Sequence, residues 1–146
     1  MIKTFRGSLA SASEQKIRLS TKNGKIGYRI KKFQIMESAP GTTATELIMK
    51  IYKVTQPSIN ALVDFADGNL LGVCYYESGN IRSEQATQTA IFEQEIFNQD
   101  IFVTSVENVG SGAGNYYLEL EVINLSDNAA TVSTLRDIRL NPQVGG

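Results

Sequence analysis

Histidine and tryptophan are absent from the 146 residues, cysteine occurs once and proline three times. Without histidine the chain lacks the commonest general base, the commonest metal ligand and the imidazole of a Ser-His or Cys-His pair. One cysteine and no histidine cannot build a usual zinc set, and one thiol cannot close an internal disulfide. Cys74 lies in the apolar run Leu71-Gly-Val-Cys-Tyr-Tyr76, where a buried small hydrophobe is expected rather than a reactive thiol. No apolar run approaches the roughly 20 residues that span a bilayer. The opening residues, Met1-Ile-Lys-Thr-Phe-Arg-Gly7, put no apolar stretch behind their charges, so no signal peptide is expected. These absences predict a chain made and held in a cytoplasm until it assembles. They also predict no cofactor, no metal and no catalysis, and action through binding of other macromolecules.

What is present is ordinary for a folded domain: 42% hydrophobic and 20% charged residues predict one domain over residues 1–146. The charge is unevenly spread. Residues 1–32 hold nine cations and one acid, a net of +8, and the remaining residues hold five cations and fourteen acids, a net of −9. Such asymmetry points either to an oppositely charged partner or to two segments that neutralise each other within the fold.

Asn23-Gly24 separates two alternating segments, Lys16 to Lys22 and Lys25 to Lys31. The pair favours a two-residue type I′ hairpin, because both central positions of that turn need positive φ. The implied register sets Lys22 against Lys25, Leu19 against Tyr28 and Ile17 against Ile30. One face then carries Ile17, Leu19, Thr21, Ile26, Tyr28 and Ile30, a core face. The other carries Lys16, Arg18, Lys22, Lys25, Arg29 and Lys31, with Arg18 opposite Arg29 and Lys16 opposite Lys31. Like charges directly opposite on a sheet repel, so this basic hairpin face is predicted to bind an acidic partner. A solvated face that discourages edge aggregation is the alternative.

Further along, Lys31-Lys32-Phe33 breaks the alternation and predicts a β-bulge or bend. Residues 37–43 read as a loop, and Glu46 to Val54 as a strand with Leu47, Met49 and Ile51 on one face. Gln56 to Asn69 is irregular, Leu70 to Tyr76 is a central strand, and Glu77 to Gln88 is a polar loop. Ile-Phe recurs at 91–92, 96–97 and 101–102. A turn at Asn98-Gln99-Asp100 between two strands best accommodates that spacing, with the six side chains expected in the core and an intersubunit patch as the alternative for part of the set. Gly110 to Asn115 is a loop before a strand over Tyr116 to Ile123. Ser126-Asp127-Asn128 can cap a short C-terminal helix with Val132, Leu135 and Ile138 as its buried stripe and Pro142 beyond its end. A last strand over Thr131 to Leu135 competes with that helix. Together these elements predict a mainly β fold, an antiparallel sandwich or barrel with the jelly roll among its forms.

Candidate chemical motifs are thin. Gly110, Gly112 and Gly114 are followed by a strand rather than a helix, against a phosphate loop. Asp64, Asp67 and Asn69 do not match a calcium loop and suit a tight turn. Glu93 with Glu95, and Glu119 with Glu121, are paired carboxylates of the kind used in glycoside hydrolysis. Both pairs are expected on solvent faces, as an acidic strip complementary to the basic hairpin of a neighbouring copy. Nucleic acid ranks third as a partner of the basic face, which lacks interleaved aromatics.

The chain resembles small, strand-rich virion structural proteins of marine tailed bacteriophages. The likeness lies in Ile17-Arg-Leu-Ser-Thr-Lys-Asn-Gly-Lys-Ile-Gly-Tyr-Arg-Ile-Lys-Lys-Phe-Gln-Ile-Met36, Leu70-Leu-Gly-Val-Cys-Tyr-Tyr76, Ile96-Phe-Asn-Gln-Asp-Ile-Phe102, Asn115-Tyr-Tyr-Leu-Glu-Leu-Glu121 and Thr134-Leu-Arg-Asp-Ile-Arg139. It is one of pattern and carries no functional residues across. It implies a capsid cement, decoration or minor capsid protein in the virion, binding the major capsid protein or other virion proteins and its own copies as a homo-oligomer, with no membrane. The alternative is a head–tail junction or tail component acting as a receptor- or carbohydrate-binding module.

Overall fold

The computed structural model describes residues 1–40, 44–79 and 87–139. Its strands are β1 (Ile2–Leu9), β2 (Ser13–Ile17), β3 (Ile26–Glu37), β4 (Thr45–Tyr52), β5 (Leu70–Ser78), β6 (Thr87–Phe92), β7 (Ile101–Glu107) and β8 (Gly114–Asn124), followed by helix α1 (Asp127–Arg139). They form two antiparallel sheets, β1-β8-β3 and β2-β7-β4-β5-β6. Among the described residues the two sheets share no strand pairing, so the fold is a sandwich and not a closed barrel. The pairings β1·β8, β2·β7 and β4·β5 nest like a ribbon folded back on itself, in the manner of a jelly roll. A fourth pairing, β3 with β6, would complete that ribbon. Instead β6 adds to β5 and meets β3 through Gln88, whose Oε1 accepts from the Ile35 amide at 3.1 Å.

The layers stack with β1 over β2, β8 over β7 and β4, and β3 over β5. Period-2 alternation puts Ile30, Phe33, Leu118 and Leu120 of the smaller sheet against Leu47, Met49, Ile51, Ile101 and Val103 of the larger, all essentially inaccessible. Phe33 joins Ile30 on the inner face because Lys31 is bulged: Ile30 pairs with Leu120 and Lys32 with Glu119. The expected irregularity at Lys31-Lys32-Phe33 is that bulge. Cys74 is buried opposite Met49 on β5, an interior strand of its sheet.

The Asn-Gly hairpin does not form. Ile17 and Ile30 belong to different sheets: β2 pairs with β7, which sets Lys16 opposite Phe102, and β3 pairs with β8, which sets Arg29 opposite Glu121. None of the predicted facings of Lys22 with Lys25, Leu19 with Tyr28, Arg18 with Arg29 or Lys16 with Lys31 therefore occurs. The turn sits one residue early, with the Gly24 amide donating to Thr21 O at 3.3 Å, and Gly24 at φ 66° has positive φ where Asn23 does not. A type I′ turn needs it at both. Residues 18–25 instead cross between the sheets, held where Asp100 Oδ1 accepts the amides of Leu19 at 2.7 Å and Ser20 at 2.8 Å. Ile17, Leu19, Tyr28 and Ile30 are still buried, whereas Ile26 is half-buried and Thr21 exposed. Their apolar character was satisfied by two sheets rather than one hairpin.

Other expectations divide similarly. The strand over Leu47, Met49 and Ile51, the irregular stretch to Asn69 and the strand from Leu70 form, while residues 41–43 and 80–86 of the two predicted loops lie outside the described residues. Of the Ile-Phe repeat, Phe97 and Ile101 enter the core, Phe92, Ile96 and Phe102 are half-buried and Ile91 is exposed. Phe97 exchanges backbone hydrogen bonds with Tyr28 at 2.7 and 2.9 Å, an isolated bridge before the Asn98–Asp100 turn. The C-terminal element is the helix, capped where Ser126 Oγ accepts from the Ala129 amide at 3.2 Å. Its predicted stripe is turned away: Val132 and Leu135 are exposed, and Ala130 and Ser133 are buried. The orientation follows Asn98, whose Nδ2 reaches Thr134 Oγ1 at 2.7 Å and Ala130 O at 3.3 Å. The side chain of Ile138, and Pro142, lie outside the described residues. No helix among those residues is long and apolar enough to cross a membrane.

Candidate interaction surfaces

The six cations predicted to share one basic face are distributed over three places. Lys16 lies on edge strand β2, with Nζ 3.4 Å from Asp100 Oδ2 and 6.0 Å from the Phe102 ring centroid. Arg18, Lys22 and Lys25 are exposed on the crossing segment. Arg29 and Lys31 belong to β3 and point outward from the smaller sheet, where both meet Glu121 at 3.1 and 3.5 Å. The hydrogen bond from Arg29 holds the Glu121 carboxyl below its usual range. Burial opposes ionisation of Asp100, but the amides of Ser20 and Leu19 outweigh it and its pKa is lowered. The acidic strip expected to serve a neighbouring copy thus supplies Glu121 to this chain's own cations.

Among the described residues, no layer packs on the outer face of the smaller sheet. Register places Ile2, Thr4 and Arg6 of β1 beside Glu121, Glu119 and Tyr117 of β8, and Arg29, Lys32 and Gln34 of β3 on the other side. Met36 extends the same face. Tyr117 is its exposed centre, with Lys32 Nζ 5.9 Å from the ring centroid, and Ile2 and Met36 are exposed at 47% and 55%. Four cations, Arg6, Arg29, Lys31 and Lys32, stand against two carboxylates, Glu119 and Glu121. That is a net +2 on an apolar-studded sheet. Strict alternation in Tyr116-Tyr-Leu-Glu-Leu-Glu121 already turns Tyr117 outward, so this part of the surface was readable from sequence.

The opposite face of the sandwich is covered. Lys50, Val73 and Ile91 lie side by side on the outer face of the larger sheet, and the segment after β4 folds over Lys50 and leaves Ile91 exposed. Lys50 is buried there, its Nζ donating to Leu62 O at 2.5 Å and lying 5.4 Å from the Tyr52 ring centroid. Burial lowers its pKa, against the pull of Asp67. Glu14 anchors the start of the segment by accepting from Thr55 Oγ1 at 2.5 Å and the Gln56 amide at 2.8 Å. Buried Lys53 pairs with Glu95 at 2.6 Å, and Arg136 Nε lies 3.0 Å from the same oxygen.

With its polar groups drawn inward, this segment presents apolar side chains to solvent, Leu62 at 77% and Phe65 at 65% exposed, and Ile91 of β6 adds a third at 50%. Phe65 and Ile91 line one cavity of about 210 Å³ together with Asp67 and Glu93. Residues 54–72 and 87–95 contain no cation. Asp64, Asp67 and Glu93 stand there against the buried Lys50, a net of −2, with Glu95 paired to Lys53. No periodicity in the sequence announced this surface, because an irregular loop has none.

Glu37, Glu107, Asp64 and Asp67 each serve local structure through hydrogen bonds. A cavity of about 570 Å³ is lined by Glu37, Glu107 and the loop of Gly110 and Gly112. Glu37 accepts hydrogen bonds from Ser78 Oγ at 3.1 Å, Tyr76 OH at 3.4 Å and Thr45 Oγ1. Glu107 accepts from the amides of Glu46 at 3.0 Å and Gly110. Two carboxylates at its wall repel a phosphate. Asp64 and Asp67 each accept from the amide two residues on, both at 2.9 Å, which makes them turn residues. Among the described residues no group of three or more acids or cysteines could hold a metal ion.

No family model matches the chain, and no curated protein matches it. Among solved structures it is similar to the Yersinia pseudotuberculosis-derived mitogen (YPM), at 14% identity over 87% of each chain with a TM-score of 0.32. A likeness at that level carries no argument about function.

Proposed function

We propose that this chain is a structural protein of a bacteriophage particle, a capsid cement, decoration or minor capsid protein that binds the capsid lattice and its own copies. The observation that supports this reading is the placement of its exposed chemistry. Charge and large apolar side chains lie on the two broad outer surfaces, whereas Glu37 and Glu107 of the 570 Å³ cavity are taken up in structural hydrogen bonds. Flat surfaces that mix apolar and charged groups suit protein partners. The virion is then its location, and the major capsid protein or another virion protein its partner. A carbohydrate-binding tail module has less support, because Tyr117 is the one aromatic on the uncovered face among the described residues.

The test is mass spectrometry of phage particles banded from a culture whose genome encodes the chain. Peptides of the chain are expected in the particle band at a fixed ratio to the major capsid protein. Their restriction to the unassembled fraction would overturn the proposal.

A further inference from the structure

We infer that the two broad faces of the sandwich are complementary, and that the uncovered three-stranded face of one copy seats on the loop-covered face of the next. This rests on the self-binding part of the reading above and goes further by naming the surfaces. The occupant of each face is a second copy of this chain, and the argument is charge and apolar complementarity. One face carries Arg6 and Lys32 around exposed Tyr117 and Met36, at a net +2. The other carries Asp64, Asp67 and Glu93 around exposed Leu62, Phe65 and Ile91, at a net −2 with Lys50 buried beneath and no exposed cation in its segments.

Neither face suits its own kind. A two-fold contact through the +2 face sets cations against cations, and one through the −2 face sets carboxylates against carboxylates, and both repel. Contact between the unlike faces removes both penalties and covers the exposed apolar side chains of each. Because the faces lie on opposite sides of one sandwich, every copy that joins leaves one of each kind open. Such a heterologous contact adds copies in one direction until it closes a ring or continues as a stack.

The experiment is light scattering on the purified full chain at low and high salt. A mass well above the 16.0 kDa of one chain is expected at low salt, falling toward it as salt screens the faces. Two charge-reversed variants follow, Arg6→Glu with Lys32→Glu, and Asp64→Lys with Glu93→Lys. Each alone should remain at the single-chain mass, and an equimolar mixture should recover the assembly.

A wild-type protein at the single-chain mass under every condition overturns the inference and leaves particle membership, read from banded particles, standing. Assembly by either variant alone overturns it, as does a mixture that stays dissociated while both variants melt like the wild type. If a reversed variant does not fold, Phe65→Ser and Tyr117→Ser decide the matter. Loss of assembly in both supports the contact, and retention in either overturns it.

Discussion

Arg29 and Glu121 face each other across β3 and β8, with one guanidinium nitrogen, Nη2, 3.1 Å from both carboxylate oxygens. Lys31 shares the same carboxylate at 3.5 Å. The pairing joins the +8 segment of the chain to the −9 segment, as does Lys16 with Asp100. Part of the charge asymmetry is therefore an internal attraction between parts of the chain far apart in sequence. The cations that remain on display are a different set from the six that a hairpin would have aligned.

Glu121 and Asp100 set the acid side of stability. Both have folded pKa values lowered from their ordinary range, Glu121 chiefly through the Arg29 hydrogen bond and Asp100 through two amides that outweigh burial. A lowered folded pKa contributes stability that is complete above the unfolded value, about 4 for these groups, and is lost as pH falls through the folded value. Thermal melts should show Glu121→Gln less stable than wild type at pH 7. The gap should narrow as pH falls below the ordinary carboxylate range and the wild-type carboxylate is itself protonated.

Asn98 ties three separate segments together. Fully buried, its Nδ2 lies 2.9 Å from Gly24 O, 2.7 Å from Thr134 Oγ1 and 3.3 Å from Ala130 O. Asn98→Ala should cost about 2 to 3 kcal/mol, since it leaves buried acceptors without a donor, and hydrogen exchange should show α1 loosened before the sheets. Gly24→Ala should disturb the same junction, because a Cβ there would stand 3.0 Å from Asn98 Nδ2 at a φ of 66°. Chemical denaturation of the two variants and their double mutant measures the coupling.

Cys74 should be inert in the native protein. It is completely buried, and burial pushes its thiol pKa up to about 12, so almost no thiolate exists at neutral pH. A thiol reagent at pH 8 should label the folded chain no faster than it unfolds, and should label one thiol per chain at once in denaturant. Rapid stoichiometric labelling without denaturant would show that β5 is accessible.

The elements that sequence patterns located are those whose cause is local. Alternation in Leu47, Met49 and Ile51 needs only an inside and an outside, and β4 follows. The break at Lys31 is a parity change within one strand, and it is the bulge. Ser126 accepts the Ala129 amide on Oγ and the Ala130 amide on its carbonyl oxygen, and α1 begins there. The face of α1 that packs was misread because Asn98, a distant side chain, chose it.

The sequence by itself determined that the chain is mainly strand, where most strands run, that Cys74 is interior and that Tyr117 points away from the core. Each of these depends on side-chain parity or on groups within a few residues. Only the tertiary structure decided which strand lies beside which. Asn23-Gly24 was set between two strands with matching apolar faces, yet β7 and β8 are the neighbours those strands take, because burial against two sheets outweighs a turn preference of two residues. The identity of the exposed surface followed from the same decision. Residues 53–69 fold over one sheet and leave the other open, and that choice settled which charges meet inside the chain and which face outward.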